Sequence, residues 1–290
     1  SIPAALVGEL DQTEGIALKQ GSDFFNYVLK LNLERPPFDQ LEVRRAVELA
    51  VDKQQLVDLV LQGRGTVLPP AYYHPDLPHA RRDIQSEFNP DKARQLLDSV
   101  GLMDSDGDGF RVMDGKPLQF TLLCDSNNPA EVRTGELLKA MLADVGIAIT
   151  QNCMDVDTQC SFVWPKFHAK NGPDYEMSTF AWSAGVQVNL PFIRGMVHSD
   201  IENVGWANIT GYRNTDMDKL LDELIVTADP GRQEELQSEI GALFAAELPF
   251  IPLFCPDGNF AYRPEAYDQW TYLQGVGILP RMSFLSGFER

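Results

Sequence analysis

Between Phe24 and Phe254 the chain alternates two kinds of hydrophobic spacing. Short runs with every second residue apolar suit a half-buried strand, and longer segments with apolar residues three and four apart suit a helix. The run FFNYVLKLNL from Phe24 puts Tyr27, Leu29, Leu31 and Leu33 on one side, and Pro36-Pro37 stops it. Leu41, Val43, Ala46, Val47 and Ala50 then form a helical stripe, with Glu42, Arg45 and Glu48 facing out. Asp52 caps a second helix, with Gln55 three positions on and Gly63 as its stop. Asn89-Pro90 opens a third, which Gly101 ends. Further strands are expected at 118–123, 147–154, 175–182 and 249–254. Helices are expected at 130–145, after Asp157, at 216–228 and at 231–247. Residues 1–21 have weak periodicity and read as an irregular lead-in. Strands separated by helices of this length predict an open α/β sheet covered by helices.

Charge narrows the function. The chain has 42 acidic and 24 basic side chains, a formal net charge of −18. Such a surface repels phosphate backbones, so nucleic acid is not an expected partner. No apolar run approaches the ~20 residues that cross a bilayer; the richest, Phe244 to Phe254, is broken by Glu247, Pro249 and Pro252. The start, Ser1-Ile2-Pro3, has no basic-then-apolar leader, and a processed protein or a piece of a longer one is expected.

Reactive chemistry is sparse. Cys124, Cys153, Cys160 and Cys255 form no CxxC pair, and they read as four small hydrophobes or as a local Cys153–Cys160 disulfide, the former favoured. His74 and His79 sit in a proline-rich loop with no third ligand and are expected to be solvated. Asp104, Asp106 and Asp108, interleaved with Ser105 and Gly107, match the opening of a calcium loop. Its closing glutamate is missing, since the twelfth position is Gly115; an acidic turn is the competing reading. No GxSxG, HExxH, GxxxxGK[ST] or strand-bound GxGxxG occurs, so no enzyme is expected and no cofactor beyond that candidate Ca2+. Trp182 lies where a strand runs into a small-residue loop, and open α/β sheets bind ligands beyond the carboxyl ends of their strands. Its flat face can cover an apolar or cationic group, and ordinary packing between elements is the competing reading.

The string PFDQLEVRRAVELAVDK, carrying Pro37, Phe38, Asp39, Val43, Arg44, Ala46, Ala50, Val51, Asp52 and Lys53, resembles a signature of the peptide/nickel/oligopeptide solute-binding proteins, family five of the importer-linked receptors. Phe88-Asn89-Pro90-Asp91-Lys92-Ala93, Asp106 to Gly109 with Asp114 to Lys116, Tyr212-Arg213-Asn214 with Asp216, and Leu248-Pro249 to Leu253 follow in the family's order. The resemblance implies a periplasmic-binding-protein type II-like lobe, a mixed β-sheet flanked by helices. It further implies a C-terminal lobe at 23–253, with 1–22 and 254–290 leading to and from a missing first lobe. The function implied is the binding component of an ABC importer, outside the cytoplasm, gripping a peptide-like or other small solute and serving a membrane permease. The alternatives are a calcium-assisted glycan hydrolase and the solute-sensing module of a regulator. By the same resemblance Trp182 and the loop after it, with Ser183, Ala184, Gly185, Gln187 and Asn189, line the cleft; Tyr212, Trp206 and Asn208 are further cleft candidates, for which a structured surface loop is the favoured alternative. Peptide binders commonly carry an aspartate three residues after the tryptophan; here Gly185 stands there, leaving Gln187 or Asn189 to supply neutral hydrogen bonds.

Overall fold

The computed structural model describes residues 2–279 and 283–284. In chain order these form α1 (Ala4–Asp11), β1 (Ala17–Ser22), β2 (Asn26–Leu31), α2 (Leu41–Ala50), α3 (Lys53–Val60), β3 (Gly65–Val67), α4 (Pro90–Ser99), a short hairpin of β4 (Val112–Met113) and β5 (Lys116–Pro117), and β6 (Gln119–Asp125). Next come α5 (Pro129–Ala143), β7 (Ala148–Met154), α6 (Val156–Val163), β8 (Met177–Trp182), α7 (Leu190–Val197), α8 (Thr215–Val226), α9 (Pro230–Glu247) and β9 (Ile251–Tyr262). A last small pair, β10 (Tyr272–Leu273) and β11 (Gly277–Ile278), follows.

The main sheet runs β1-β9-β2-β8-β6-β7, with β3 also on β9. β2 is antiparallel to β8 and β9, whereas β6 is parallel to β7 and β8, so the sheet is mixed. Alternation along β2 decides which layer each side chain joins. Tyr27, Leu29 and Leu31 pack with α2, α4 and α5 on one face. Val28 packs with α7, α8 and α9 on the other. β2 is buried at every position because helices cover both faces, so its polar positions are not solvent-facing.

Caps place the helices as read. Asp52 accepts the amide of Gln55 at 2.9 Å, and Asn89 accepts that of Lys92 at 3.0 Å. The cap before Phe162 is Asp155 rather than Asp157; its carboxylate accepts both the amide and the hydroxyl of Thr158. The lead-in is not irregular: α1 and β1 form there, and β1 lies along the outer half of β9, from Ala17 opposite Tyr262 to Ser22 opposite Asp257. Glu48 does not face out, because it pairs with Lys53 at 2.7 Å in the interior.

The family-like signature builds a joint. Phe38 packs on Phe120 with ring centroids 4.6 Å apart. The buried Arg44 donates to the carbonyls of Phe38, Asp39 and Glu247, and so ties the start of α2 to the last turn of α9. A guanidinium there also meets the negative end of the α9 dipole.

The cysteines depart from both readings. Cys124 and Cys153 face each other across the parallel pair β6–β7, with Cα atoms 4.5 Å apart, and are bridged. Cys160 and Cys255 are free. The bridge depends on strand register, which local spacing does not reveal.

Candidate functional site

β6, β7 and β8 end on one side of the sheet, at Asp125, Met154 and Trp182, and β2 starts there at Asn26, opposite Trp182. Beyond this edge β1 and the outer half of β9 continue as a ribbon. The edge is where an open α/β sheet offers loops and strand ends to a ligand.

The Trp182 loop divides into structural and presented residues. Trp182 itself is 4% exposed, in ring contact with Trp164, Phe180 and Phe192 at 5.4, 4.9 and 5.3 Å. Gln187 is buried, and its side-chain oxygen accepts the amide of His74 at 2.7 Å. Asn189 caps α7 by accepting the amide of Phe192 at 3.2 Å. Ser183 and Gly185 are exposed and Ala184 is half-buried. A Cβ built at Gly185 meets open space, so nothing in the described structure demands glycine there.

Tyr212 is not brought to this edge. It lies at the opposite end of the sheet, where Leu33 donates to the carbonyl of Thr210 and Gly211 abuts Glu34. Asn208 holds that turn, accepting the Tyr212 amide and donating to its carbonyl. Trp206 stacks on Trp164 at 5.4 Å as part of the aromatic packing behind Trp182.

A pocket of about 580 Å³ opens at the carboxyl edge, between the start of β2, the first turn of α5 and β9. Tyr27 and Asn128 sit on its wall, their side chains 3.3 Å apart. Asn128 caps α5, and the Asn-Pro pair there is the local signal that marks this helix start. Behind it Glu131 is buried, accepting from the Asp125 amide at 3.2 Å and the Thr179 hydroxyl at 3.1 Å. Desolvation outweighs those hydrogen bonds and lifts its pKa to about 7.

The aspartate loop lies elsewhere. It precedes the β4–β5 hairpin, which feeds the amino end of β6. The carboxylates of Asp104, Asp106 and Asp108 approach within 4.8 Å of one another, yet they also make their own turn. Asp104 accepts the amides of Gly107 and Gly109, and Asp108 that of Phe110. A hydrolase using this loop would have its metal at the wrong end of the sheet for the pocket. The histidines are not solvated: His74 packs against Phe24, and His79 sits edge-on to Tyr73, with burial pushing its pKa down to about 4.

Comparison with known proteins agrees with this geometry. The model for "Bacterial extracellular solute-binding proteins, family 5 Middle" matches residues 1–203. The chain is 26% identical over 244 residues to the oligopeptide-binding protein AppA of Bacillus subtilis (strain 168), covering 81% of this chain and 42% of that protein. It is 26% identical over 232 residues to heme-binding protein A of Haemophilus influenzae, covering 78% and 38%. The solved structure of AppA in complex with a nonapeptide superposes with a TM-score of 0.78 at 23% identity, over 92% of this chain and 52% of that one. The chain thus spans about half the length of the relatives it matches, and each of those is named for what it binds. With an α/β sheet of the same build and a family match over more than two thirds of its residues, the chain belongs to the bacterial extracellular solute-binding proteins of family 5.

Proposed function

We propose that this chain is the C-terminal lobe of the solute-binding component of an ABC importer, working outside the cytoplasm and closing with a first lobe around a peptide-like or other small solute. The observation that carries the reading is the change of partner along β9. Up to Phe254 it pairs with β2 inside the lobe, and from Asp257 it pairs with β1 in a ribbon leaving the ligand edge. The two chain crossings between lobes then lie near residues 22 and 257, close to the boundaries expected from the sequence. Ser183 to Gly185 would face the solute from above the buried Trp182, and the pocket would face it from the α3 and α5 side of the same carboxyl edge. Binding energy shared by two lobes favours the closed form, which the permease reads. No bond is made or broken.

Half a clamp should grip weakly, because the other wall and its polar contacts are missing. The co-purifying solute, identified by mass spectrometry of the two-lobed protein, is titrated calorimetrically into that protein and into this lobe alone. The lobe is expected to bind at least about tenfold more weakly; equal affinity would overturn the half-site reading.

A further inference from the structure

The pocket at the carboxyl edge has a charge pattern that folding does not require. Its two carboxylates, Asp23 and Asp257, come from adjoining segments, since Asp257 pairs with Ser22 and Asp23 follows it. Both are half-buried. Arg64 is the one basic side chain among the described lining residues; its field offsets Asp257 in part, but it makes no ion pair with either aspartate. One Asp23 oxygen accepts the amide of Phe25 at 2.9 Å, and the other takes no hydrogen bond from a described residue. Burial withdraws both carboxylates from bulk water; the amino-terminal charge acting on Asp23 and Arg64 acting on Asp257 offset this only in part, and the pKa of both is raised.

The walls favour the same sign of ligand. Phe25 and Tyr27 line the pocket with ring centroids 5.5 Å apart, and aromatic faces attract cations. The positive end of α5 is not available to an anion. The Asn128 side chain already accepts the amides of Ala130 and Glu131, and the Glu131 carboxylate lies 3.3 Å from the Asn128 amide nitrogen. The chain's net charge of −18 adds long-range attraction for cations. On the Trp182 loop, by contrast, Gly185 offers no carboxylate.

Resting on the receptor reading above, we propose that this pocket takes a protonated nitrogen group of the solute, an ammonium or guanidinium, with Asp23 as its main counter-charge and Asp257 as the second. The ligand class is therefore cationic at the end that enters here. A peptide amino terminus and a basic side chain offer the same chemistry.

The test uses the two-lobed protein and four tripeptides measured by calorimetry. These are Ala-Ala-Ala amide (amino terminus only), acetyl-Ala-Lys-Ala amide (side chain only), acetyl-Ala-Ala-Ala amide (neutral) and acetyl-Ala-Glu-Ala amide (anionic). At least one cationic peptide is expected to bind about tenfold or more tightly than the neutral one, and which one does so identifies the source of the charge. Asp23→Asn keeps an acceptor for the Phe25 amide, so the turn survives, and a melting curve checks the fold. It should abolish the cationic preference. Arg64→Gln should strengthen cation binding, an effect that a merely structural role would not produce. Equal affinity for neutral and cationic peptides, tighter binding of the anionic one, a preference that survives Asp23→Asn, or no binding of any of the four would each overturn the inference. The receptor reading stands or falls separately, on the co-purified solute.

Discussion

Lys30 is completely buried, with its ammonium 3.7 Å from the ring centroid of Phe250 and 5.2 Å from that of Trp182, and no described residue accepts a hydrogen bond from it. A cation over a desolvated ring gains about 2 kcal/mol. Burying an unpaired charge costs several kcal/mol, so desolvation wins and drives the amine's pKa well down. From that lowered value up to the ordinary 10.5, the unfolded chain holds a proton that the folded one lacks, so stability rises with pH across the window. Lys30→Met keeps the length and removes the penalty. We expect it to stabilise the protein at pH 7 by on the order of 1–3 kcal/mol and to erase that rise, as read from urea melts at several pH values. Glu131 has the opposite slope. With its pKa raised from 4.5 to about 7, the folded state holds the extra proton, and stability falls as pH climbs through that interval. The full penalty, on the order of 3 kcal/mol, is present above it. Glu131→Gln retains acceptors for Thr179 and Asp125 and should flatten the profile between those two values; an unchanged slope would show that another group titrates there.

At the scale of elements, what is local was legible and what is not local was not. Asp52 and Asn89 announce their helices because a cap is a contact within three residues. The same logic applies at Asn189 and Pro191, where α7 starts, yet the small residues before them read as one open loop. β1 escaped because its alternation is weak, and β9 supplies its pairing from more than 230 positions away. The candidate pocket was hidden for the same reason: Asp23, Asn128 and Asp257 meet only once the sheet is ordered. The family-like signature was visible because it encodes a joint, Arg44 on the carbonyl of Glu247, rather than a ligand contact. Such a motif identifies the fold and stays silent about the solute. The Cys124–Cys153 bridge also belongs here, since it joins β6 to β7 at a separation of 29 residues. A loop of that length predicts a loss of roughly 3–4 kcal/mol when Cys124→Ser and Cys153→Ser are combined. Chemical denaturation with and without reductant measures it, and a reductant-insensitive wild type would argue that the pair is not bridged.

For the molecule as a whole, the two cores lie back to back on a sheet whose strand β2 is buried throughout. The pairing changes along β9. The register of β2 against β9 shifts between Tyr27 and Val28, which puts an irregularity one step before β9 leaves β2 for β1. Bulges of this kind bend a strand and sharpen its twist. The two-stranded ribbon of β1 and β9 is thus rooted beside one edge of the sheet, where β9 still pairs with β2. A bend set at that root fixes the direction in which the ribbon departs from the sheet, so its course is already written into the backbone pairing.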